Sequence, residues 1–502
     1  MILGFCVPLL ALVIVQAKAG DILGDYSWSV INTVHDDRMM NKYHFWLCDL
    51  VDCSENKWFM GENLQEDEDE CIKKFGVCIN NVIYTPNLEN IISGADGGVS
   101  LRTWWGPTIV YLGDNHGNAS STDCDHIKEC NDAITVLTDT DGPKNGLDAR
   151  ILMSDQDPSR FKPLNIPGVL SSHPFGPALD KDDFGPFTYA TGIERGYYII
   201  GDSSQYTAYP EHYMWYATAV NTNHAQSFLT CSVDGIEFGP CPPLDWPDVD
   251  LLPVQLFSTN KFIIVSPVGF NRHWWSEIDE NHNCTLCKLK PHLTDYGFGY
   301  SQGMLLFASG GGARNQRADD GGYRESPLYM AYIELQSYKV WYFTGDGWSA
   351  KEKDAVPVLS YLGKSPKDRK KYLFGEISVK LFPTSNLEEA YLILLANHEM
   401  RLDIGGRVYY RTAPLLNPDQ WSDPQLTCGI GYGPYILDGY VEVEPGTPDR
   451  LWLYHTLVAW NGKHPPQTIE PYGVFTTRLR LREDPTDVTS PCGEPPIWPP
   501  QP

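Results

Sequence analysis

Two carboxylates stand at the two ends of a short predicted hairpin. Asp96 precedes the alternating residues 99–101, and Asp114 follows the β-branched and aromatic residues 109–112, with Trp105 between the two runs. If the turn centres near Trp105, the two aspartates lie about opposite each other, with Cβ atoms roughly 4.5–5.5 Å apart. Like charges so close suit acid–base or nucleophilic catalysis by a carboxylate pair. The alternative is two ordinary turn aspartates beside glycines.

The elements that must position this hairpin are predicted to be strands. Short alternating or aromatic-rich runs recur from about residue 90 onward, separated by Gly, Pro, Asn and Asp, and capped amphipathic helices are scarce. A composition of 12% aromatic residues, 44 Gly and 38 Pro favours turn-rich β structure. The predicted strands include residues 108–112, 196–200, 212–219, 261–265, 303–307, 328–334, 340–343, 390–395, 408–411, 451–457 and 473–481.

These strands form about five groups, each with a strand, a turn, an aromatic second strand and a Trp- or Pro-rich loop. Repeated four-stranded units predict an all-β fold of the β-propeller type, and the alternative is a sandwich or two stacked β domains. The predicted division is a signal peptide at 1–19, an irregular Cys-rich N-terminal extension at 20–89, the propeller at 90–484 and a Pro-rich tail at 485–502.

The first residues predict secretion. Residues 2–15 are apolar, and residues 17–19 (AKA) offer a small-x-small cleavage site, although no Lys or Arg precedes the apolar run. A membrane anchor is the alternative, but the run is short for a span. We therefore expect an extracellular protein, or one delivered to a lysosome-like acidic compartment, with no membrane association after cleavage. The sequons at Asn118 and Asn283 would be glycosylated in a eukaryote.

Cysteine usage agrees with an oxidising compartment. Of 13 cysteines, Cys6 lies in the predicted signal, and several of the others come in close pairs. Such pairs predict local disulfides, and the expected bridges are Cys71–Cys78, Cys124–Cys130 and Cys231–Cys241. Because one C-x-x-C arm (residues 284–287) stands alone, no structural zinc site is predicted, and we expect no metal and no cofactor.

The charge limits the classes of partner. The formal net charge is −26, with no basic run or basic–aromatic stripe, so nucleic acid is not an expected partner. An acidic surface also disfavours anionic membranes and polyanionic substrates, whereas a neutral ligand such as a polysaccharide or oligosaccharide is compatible with it.

Five segments resemble one known family in the same order along the chain. Residues 94–115, with Asp96 and LGDN at 112–115, resemble its first blade, except that Asn115 stands where the family has threonine. The later segments are residues 322–331 (GYRESPLYMA), 341–349 (WYFTGDGWS), 375–379 (GEISV), and 410–413 (YRTA) with 421–422 (WS). They resemble the secreted family, formerly a domain of unknown function, whose characterised bacterial members are endo-D-arabinanases.

The resemblance implies a five-bladed β-propeller and hydrolysis of arabinofuranosidic linkages in D-arabinan. Such a bond needs one carboxyl to protonate the leaving oxygen and a second to attack carbon or activate water, which are roles for Asp96 and Asp114. Alternatives are a glycan-binding propeller without activity, a furanosidase acting on another polymer such as fructan or L-arabinan, and a structural interaction protein.

Four further residues are candidates for supporting roles. Glu376 follows a glycine at the start of a strand and could reach an axial funnel, or it could be a structural carboxylate paired with Arg324 or Arg411. Arg324 could orient a carboxylate or bind sugar hydroxyls, or form a salt bridge between blades, and Arg411 is grouped with it as a supporting residue. Trp105 could stack on a sugar face or belong to the core.

Overall fold

The computed structural model describes residues 28–31, 77–83, 94–103, 107–116, 133–137, 149–153, 162, 164, 187–195, 198–200, 207–209, 212–220, 223–232, 234–238, 257, 261–269, 303–310, 327–334, 338–364, 371–382, 391–398, 407–415, 417–430, 433–443, 451–459 and 473–480. These ranges are all-β, as predicted, and hold no α-helix; a 3-10 turn spans Glu352–Asp354. No helix in them is long and apolar enough to cross a membrane. The predicted signal peptide and the tail lie outside them.

Twenty-six strands follow one another along the described ranges. The first thirteen are β1 (Trp28–Ile31), β2 (Val77–Ile83), β3 (Gly94–Arg102), β4 (Thr108–His116), β5 (Ala133–Leu137), β6 (Ala149–Leu152), β7 (Phe187–Arg195), β8 (Tyr198–Ile200), β9 (Thr207–Tyr209), β10 (His212–Val220), β11 (Asn223–Ser232), β12 (Ile264–Gly269) and β13 (Gly303–Ser309). The remainder are β14 (Leu328–Glu334), β15 (Val340–Phe343), β16 (Trp348–Ser349), β17 (Pro357–Leu359), β18 (Gly363–Lys364), β19 (Lys371–Tyr372), β20 (Phe374–Phe382), β21 (Tyr391–His398), β22 (Arg407–Pro414), β23 (Gln425–Ile430), β24 (Ile436–Val443), β25 (Leu451–Ala459) and β26 (Gly473–Arg480).

Five antiparallel sheets hold most of these strands. Sheet I has the order β1-β6-β5-β4-β3, and sheet II has the order β11-β10-β7. Sheet III runs β12-β13-β14-β15-β16, with β17 also paired to β14. Sheet IV is β20-β21-β22-β23, and sheet V is β2-β26-β25-β24. The pairs β8-β9 and β18-β19 form two small ribbons.

One end strand of each sheet contacts an end strand of the next, and the contacts close on themselves. β3 contacts β7, β7 contacts β12, β12 contacts β20, β20 contacts β24, and β24 contacts β3. We call these five the inner strands. The contacts between the inner strands therefore run through all five sheets and return to the first.

Sheets III and IV are buried on both faces. Along β21, Leu392 and Leu394 pack in a cluster shared with sheet III, whereas Ile393 and Leu395 pack in a cluster shared with sheet V. Because side chains alternate faces along a strand, an uninterrupted apolar run is what a sheet between two others requires. The core is therefore a series of apolar layers between successive sheets.

Serine hydroxyls also link the inner strands to one another. Ser266 on β12 accepts a hydrogen bond from the Val379 amide of β20 at 2.7 Å. Ser378 on β20 accepts one from the Ile436 amide of β24 at 3.1 Å, and the Ile436 carbonyl accepts one from Ser100 of β3 at 3.0 Å. All three serines are buried. Each contact satisfies backbone groups on a strand edge that has no further ladder partner.

Two N-terminal strands join the outer side of sheets I and V. β1 pairs antiparallel with β6, and β2 pairs antiparallel with β26. Strand β2 thus completes a sheet whose other strands come from residues 436–480. It lies before residue 90, where the sequence analysis begins the propeller.

Several strand predictions agree closely with the structure. The predicted strands 328–334 and 340–343 have the observed bounds of β14 and β15. The prediction at 261–265 is displaced, because β12 spans Ile264–Gly269 and contains Pro267. A proline normally argues against a strand interior, but β12 is an end strand of its sheet, where a missing amide is tolerated.

Candidate active site

The predicted hairpin is formed by β3 and β4. The Thr103 amide and hydroxyl both donate to the Pro107 carbonyl, at 3.0 and 2.7 Å, and close the turn. Next to the turn, Leu101 pairs with Ile109, so the register is symmetric about residue 105, as the sequence analysis assumed. The Trp105 side chain falls outside the described residues.

A bulge at Gly98 changes the register before it reaches Asp96. Val99 pairs with Tyr111, but Gly97 pairs with Leu112, and Asp96 therefore pairs with Gly113. The prediction that Asp96 lies directly opposite Asp114 is therefore wrong by one residue. Its physical cause is the Gly97–Gly98 pair, with φ values of 81° and 100° that L side chains rarely adopt.

A second register shift lies beside Asp114. Gly94 pairs with His116, so one residue of β3 stands against two of β4, Asp114 and Asn115. The backbones of Asp96 and Asp114 therefore remain close neighbours in an irregular part of the hairpin. Such irregularities re-aim side chains and are over-represented next to active sites.

Thr456 of β25 fixes the bulge at Gly98 from sheet V. Its Oγ1 donates to the Gly98 carbonyl at 3.0 Å and also lies 3.2 Å from the Tyr435 carbonyl. A Cβ at Gly98 would lie 2.7–2.9 Å from three atoms of the Thr456 side chain. Glycine is required here both by the backbone conformation and by this close approach.

Glu376 occupies a similar irregular step at the start of β20. Phe374 pairs with His398 and Ile377 with Ala396, so Gly375 and Glu376 stand against the single residue Asn397. The strand begins with a bulge whose second residue carries the carboxylate. Glu376 was predicted as a candidate from the glycine before it, and that glycine is part of the bulge.

The Glu376 side chain is 7% exposed. It makes no hydrogen bond or ion pair with the part of the chain that the structure describes, and its oxygens are not among the fully buried polar atoms that lack a partner there. Burial of a carboxylate is unfavourable unless it is paired or serves a function that requires it. A largely buried carboxylate within a bulge therefore marks the start of β20 as a candidate site.

Arg411 does not provide the pairing considered for Glu376. Its Nε and Nη2 donate to the Leu362 carbonyl at 3.1 and 2.7 Å, and its Nη1 donates to the Ser422 carbonyl at 2.8 Å. Burial lowers the pKa of Arg411 to about 10, partly offset by Asp423 and Tyr361. Its hydrogen bonds hold backbone segments of the protein together. Arg324, the other supporting arginine, lies outside the described residues.

Ser100 of β3 and Ser378 of β20 lie at the same level, because both bond backbone groups of Ile436 on β24. Residue numbers increase together along β3 and β24 where the two strands touch. Ser100 donates to the Ile436 carbonyl, and the Arg102 amide donates to the Asp438 carboxylate at 2.8 Å. These two strands therefore run in the same direction. Ile436 also bonds Ser378 of β20, and Asp96 and Glu376 each precede the serine of their own strand.

His455 is a buried titratable residue that the sequence analysis missed. It is fully buried on β25, and its Nδ1 lies 2.8 Å from the Thr456 carbonyl. Burial lowers its pKa to about 4, with a small opposing effect of that hydrogen bond. The ring is neutral near pH 7, which fits Nδ1–H as donor. A single histidine in an apolar strand gives no sequence signal for this environment.

The turn at residues 234–238 makes structural contacts with its neighbours. Asp234 Oδ1 accepts from the Ile236 amide at 2.8 Å, and Gly235 has φ of 81°. The Tyr111 hydroxyl of sheet I donates to the Gly235 carbonyl at 2.5 Å. Burial and nearby Asp234 raise the pKa of Tyr111, so this hydroxyl stays a donor.

Two other expectations concern cysteines and metals. Cys231 is disulfide-bonded, and its predicted partner Cys241 lies outside the described residues. Among the residues that can be examined, no group of three or more His, Cys, Asp or Glu is placed to hold a metal ion.

No protein-family model matches the chain. No curated protein matches it either. Solved structures similar to it include an N-acetylgalactosamine deacetylase from F. plautii in complex with blood group B trisaccharide, at 12% identity and a TM-score of 0.37, covering 80% of this chain and 93% of that one. The Penicillium chrysogenum alpha-L-arabinanase with arabinobiose is 9% identical with a TM-score of 0.34, covering 80% and 98%. The Xanthomonas citri GH43_1 enzyme with xylotriose is 9% identical with a TM-score of 0.33, covering 82% and 92%.

Proposed function

We propose that this protein is a secreted glycoside hydrolase that cleaves arabinofuranosidic linkages within D-arabinan. In this proposal, sheets I to V are the five blades of a β-propeller, and the inner strands surround its axis. The closed cycle of inner-strand contacts and the apolar layers between successive sheets support that architecture. The five sequence segments that resemble the endo-D-arabinanase family support the substrate class.

One observation carries the proposal: the three carboxylate residues all lie at irregular steps of strand pairing. Asp96 lies between the two register shifts of the β3–β4 hairpin, Asp114 lies within one of them, and Glu376 lies within the bulge that starts at Gly375. In a propeller the inner strands run in the same direction, so their starts meet at one end of the axis. The proposal therefore brings Asp96, Asp114 and Glu376 to the mouth of one funnel.

Asp96 and Asp114 share the two catalytic roles in this mechanism. One protonates the leaving glycosidic oxygen, and the other attacks the anomeric carbon or activates a water molecule. Glu376 supports them by orienting the substrate or by its charge. Chemistry with two carboxylates needs no metal or organic cofactor, and it gives a bell-shaped dependence of rate on pH.

The test measures hydrolysis of D-arabinan by wild type, Asp96→Asn, Asp114→Asn and Glu376→Gln. The two aspartate variants should fold and lose at least about 100-fold in kcat, since each removes an acid, base or nucleophile. Glu376→Gln should lose less. Asp438→Asn is the matched control, because its side-chain oxygen can still accept from the Arg102 amide.

The same panel distinguishes the alternatives. If either aspartate variant has wild-type activity, that residue is a turn aspartate and the mechanism is wrong. If wild type cleaves L-arabinan or fructan but not D-arabinan, the protein is a furanosidase of another specificity. If it binds D-arabinan without hydrolysing any polymer, it is a glycan-binding module.

A further inference from the structure

We propose that Ser309 is a positioning residue for Glu376, which it holds in place through the backbone of the neighbouring sheet. This inference rests on the proposed function, in which Glu376 supports the carboxylate pair. Ser309 ends β13 in sheet III, whereas Glu376 begins β20 in sheet IV. No sequence motif connects the two residues.

The contact is a hydrogen bond to the peptide that precedes Glu376. Ser309 is fully buried, and its Oγ donates to the Gly375 carbonyl at 3.1 Å. That carbonyl belongs to the planar peptide joining Gly375 to Glu376. Fixing the plane restricts the backbone of Glu376 and hence the direction of its side chain.

Asn397 holds the same peptide from the other side. It is fully buried on β21, opposite the bulge. A Cβ at Gly375 would lie 2.6 Å from the Asn397 Nδ2 and 3.3 Å from the Asn397 carbonyl oxygen. The glycine backbone is therefore packed against Asn397, and the Ser309 hydroxyl fixes it from the adjacent sheet.

Glu376 depends on this support because its carboxylate has no hydrogen bond or ion pair with any described residue. A side chain anchored by its own contacts tolerates small backbone shifts, whereas an unanchored one moves with its Cα. Loss of the Ser309 hydroxyl would also leave the Gly375 carbonyl without this partner. Displacements of about 1 Å in catalytic geometry can reduce rates by up to about 100-fold.

Ser266 provides a matched control on the same pair of sheets. It accepts from the Val379 amide at 2.7 Å and lies 3.5 Å from the Val379 carbonyl, which is further along β20 and beyond the bulge. Ser266 is also buried. Ser266→Ala therefore removes an equivalent link between sheets III and IV without touching the peptide before Glu376.

The kinetic test compares Ser309→Ala and Ser266→Ala on D-arabinan. Ser309→Ala should lower kcat about tenfold and leave KM within about twofold, because a misplaced supporting group weakens transition-state stabilisation. Ser266→Ala should keep wild-type kcat. In the Glu376→Gln background, Ser309→Ala should have no further effect, since both changes act on one group. Equal losses in the two serine variants, or effects that multiply with Glu376→Gln, would overturn the proposal.

A second measurement does not depend on activity. Hydrogen-exchange mass spectrometry, resolved to residues 374–377, should show faster exchange at the bulge in Ser309→Ala than in Ser266→Ala. Unchanged exchange there overturns the positioning role, whatever the kinetics. Faster exchange in a protein whose wild type cleaves no furanoside polymer supports the role of Ser309 and refutes the proposed activity.

Discussion

Gly98 lies where a side chain would strain the backbone and also collide with sheet V. Its φ is 100°, and the Thr456 hydroxyl that bonds its carbonyl fills the space of a Cβ. Gly98→Ala should lower the free energy of unfolding by about 2–6 kcal/mol, the sum of backbone strain and overpacking. Denaturant unfolding followed by tryptophan fluorescence measures the loss.

Gly345 is the control for this prediction. Its φ of 97° is nearly the same, but the nearest atom to an added Cβ is the Val356 Cγ2 at 3.5 Å. Gly345→Ala should therefore show the strain alone, about 1–3 kcal/mol. If both variants lose equal stability, the contact with Thr456 does not contribute.

Because His455 is buried as a neutral ring, we expect the folded protein to lose stability in mild acid. Burial lowers its pKa from 6.5 to about 4, so between these values the unfolded chain binds more protons than the folded one. The stability that depends on a neutral His455 is fully present above about pH 6.5. As the pH falls to about 4, the free energy of unfolding decreases by on the order of 3 kcal/mol. Urea unfolding at about pH 7 and pH 4.5 measures it. His455→Gln should show a smaller difference between the two pH values, and an equal difference would refute the assignment.

At the residue scale, the sequence indicates which residue types could form a site and how they are spaced, but it does not indicate which side chains contact one another. A Gly97–Gly98 pair within a strand is typical of a bulge, but the prediction assumed an unbroken register, and the structure shows that a bulge moves Asp96 to face Gly113. Glu376 was predicted as a candidate because a glycine precedes it at the start of a strand. Ser309 and Thr456 could not be found, because a lone hydroxyl in an apolar strand does not reveal a partner on another sheet.

At the element scale, two of the segments that resemble the endo-D-arabinanase family make structural hydrogen bonds and turns. In residues 341–349, β15 and β16 make a hairpin in which Phe343 pairs with Trp348 and Gly345 supplies the positive φ. In the other segment, Ser422 exchanges hydrogen bonds with Thr412, since its amide donates to the Thr412 carbonyl at 2.7 Å and its hydroxyl accepts from the Thr412 amide at 3.0 Å. These resemblances therefore report architecture more directly than chemistry.

We expect Arg411 to stabilise the protein by joining β22 to two neighbouring backbone segments. Its guanidinium reaches the Leu362 and Ser422 carbonyls together, which a single lysine ammonium cannot do with the same geometry. Arg411→Lys should lower the free energy of unfolding by about 1–3 kcal/mol, because buried carbonyls lose charge-assisted donors. A thermal melt measures this loss. A raised KM at unchanged melting temperature would instead indicate that Arg411 contacts substrate.

Element existence was predictable where strands are alternating or aromatic, as for β14 and β15. Strand ends were less predictable where a special residue is tolerated for a tertiary reason, as Pro267 is in β12. Pairing partners distant in sequence could not be predicted, because β2 carries no signal that its neighbour is β26.

At the scale of the whole molecule, β2 completes sheet V and covers the edge of β26. A chain starting at residue 90 lacks this strand and exposes that edge, which favours aggregation. We expect it to aggregate or to melt about 10 °C lower than a chain starting at residue 70, which keeps β2. Light scattering and a dichroism melt measure the difference. Equal melting of the two chains would show that β2 is dispensable.

The pairing of β2 with β26 also orders events during synthesis. Val77 pairs with Leu479, so the two partners leave the ribosome about 400 residues apart, or roughly 20–80 s at usual elongation rates. During that interval β2 cannot pair with β26, and folding of the segments between them does not shorten the time needed to synthesise β26. A contact of such long sequence separation is slow to form. We therefore expect the nascent chain to be prone to aggregation until its last strand has been synthesised.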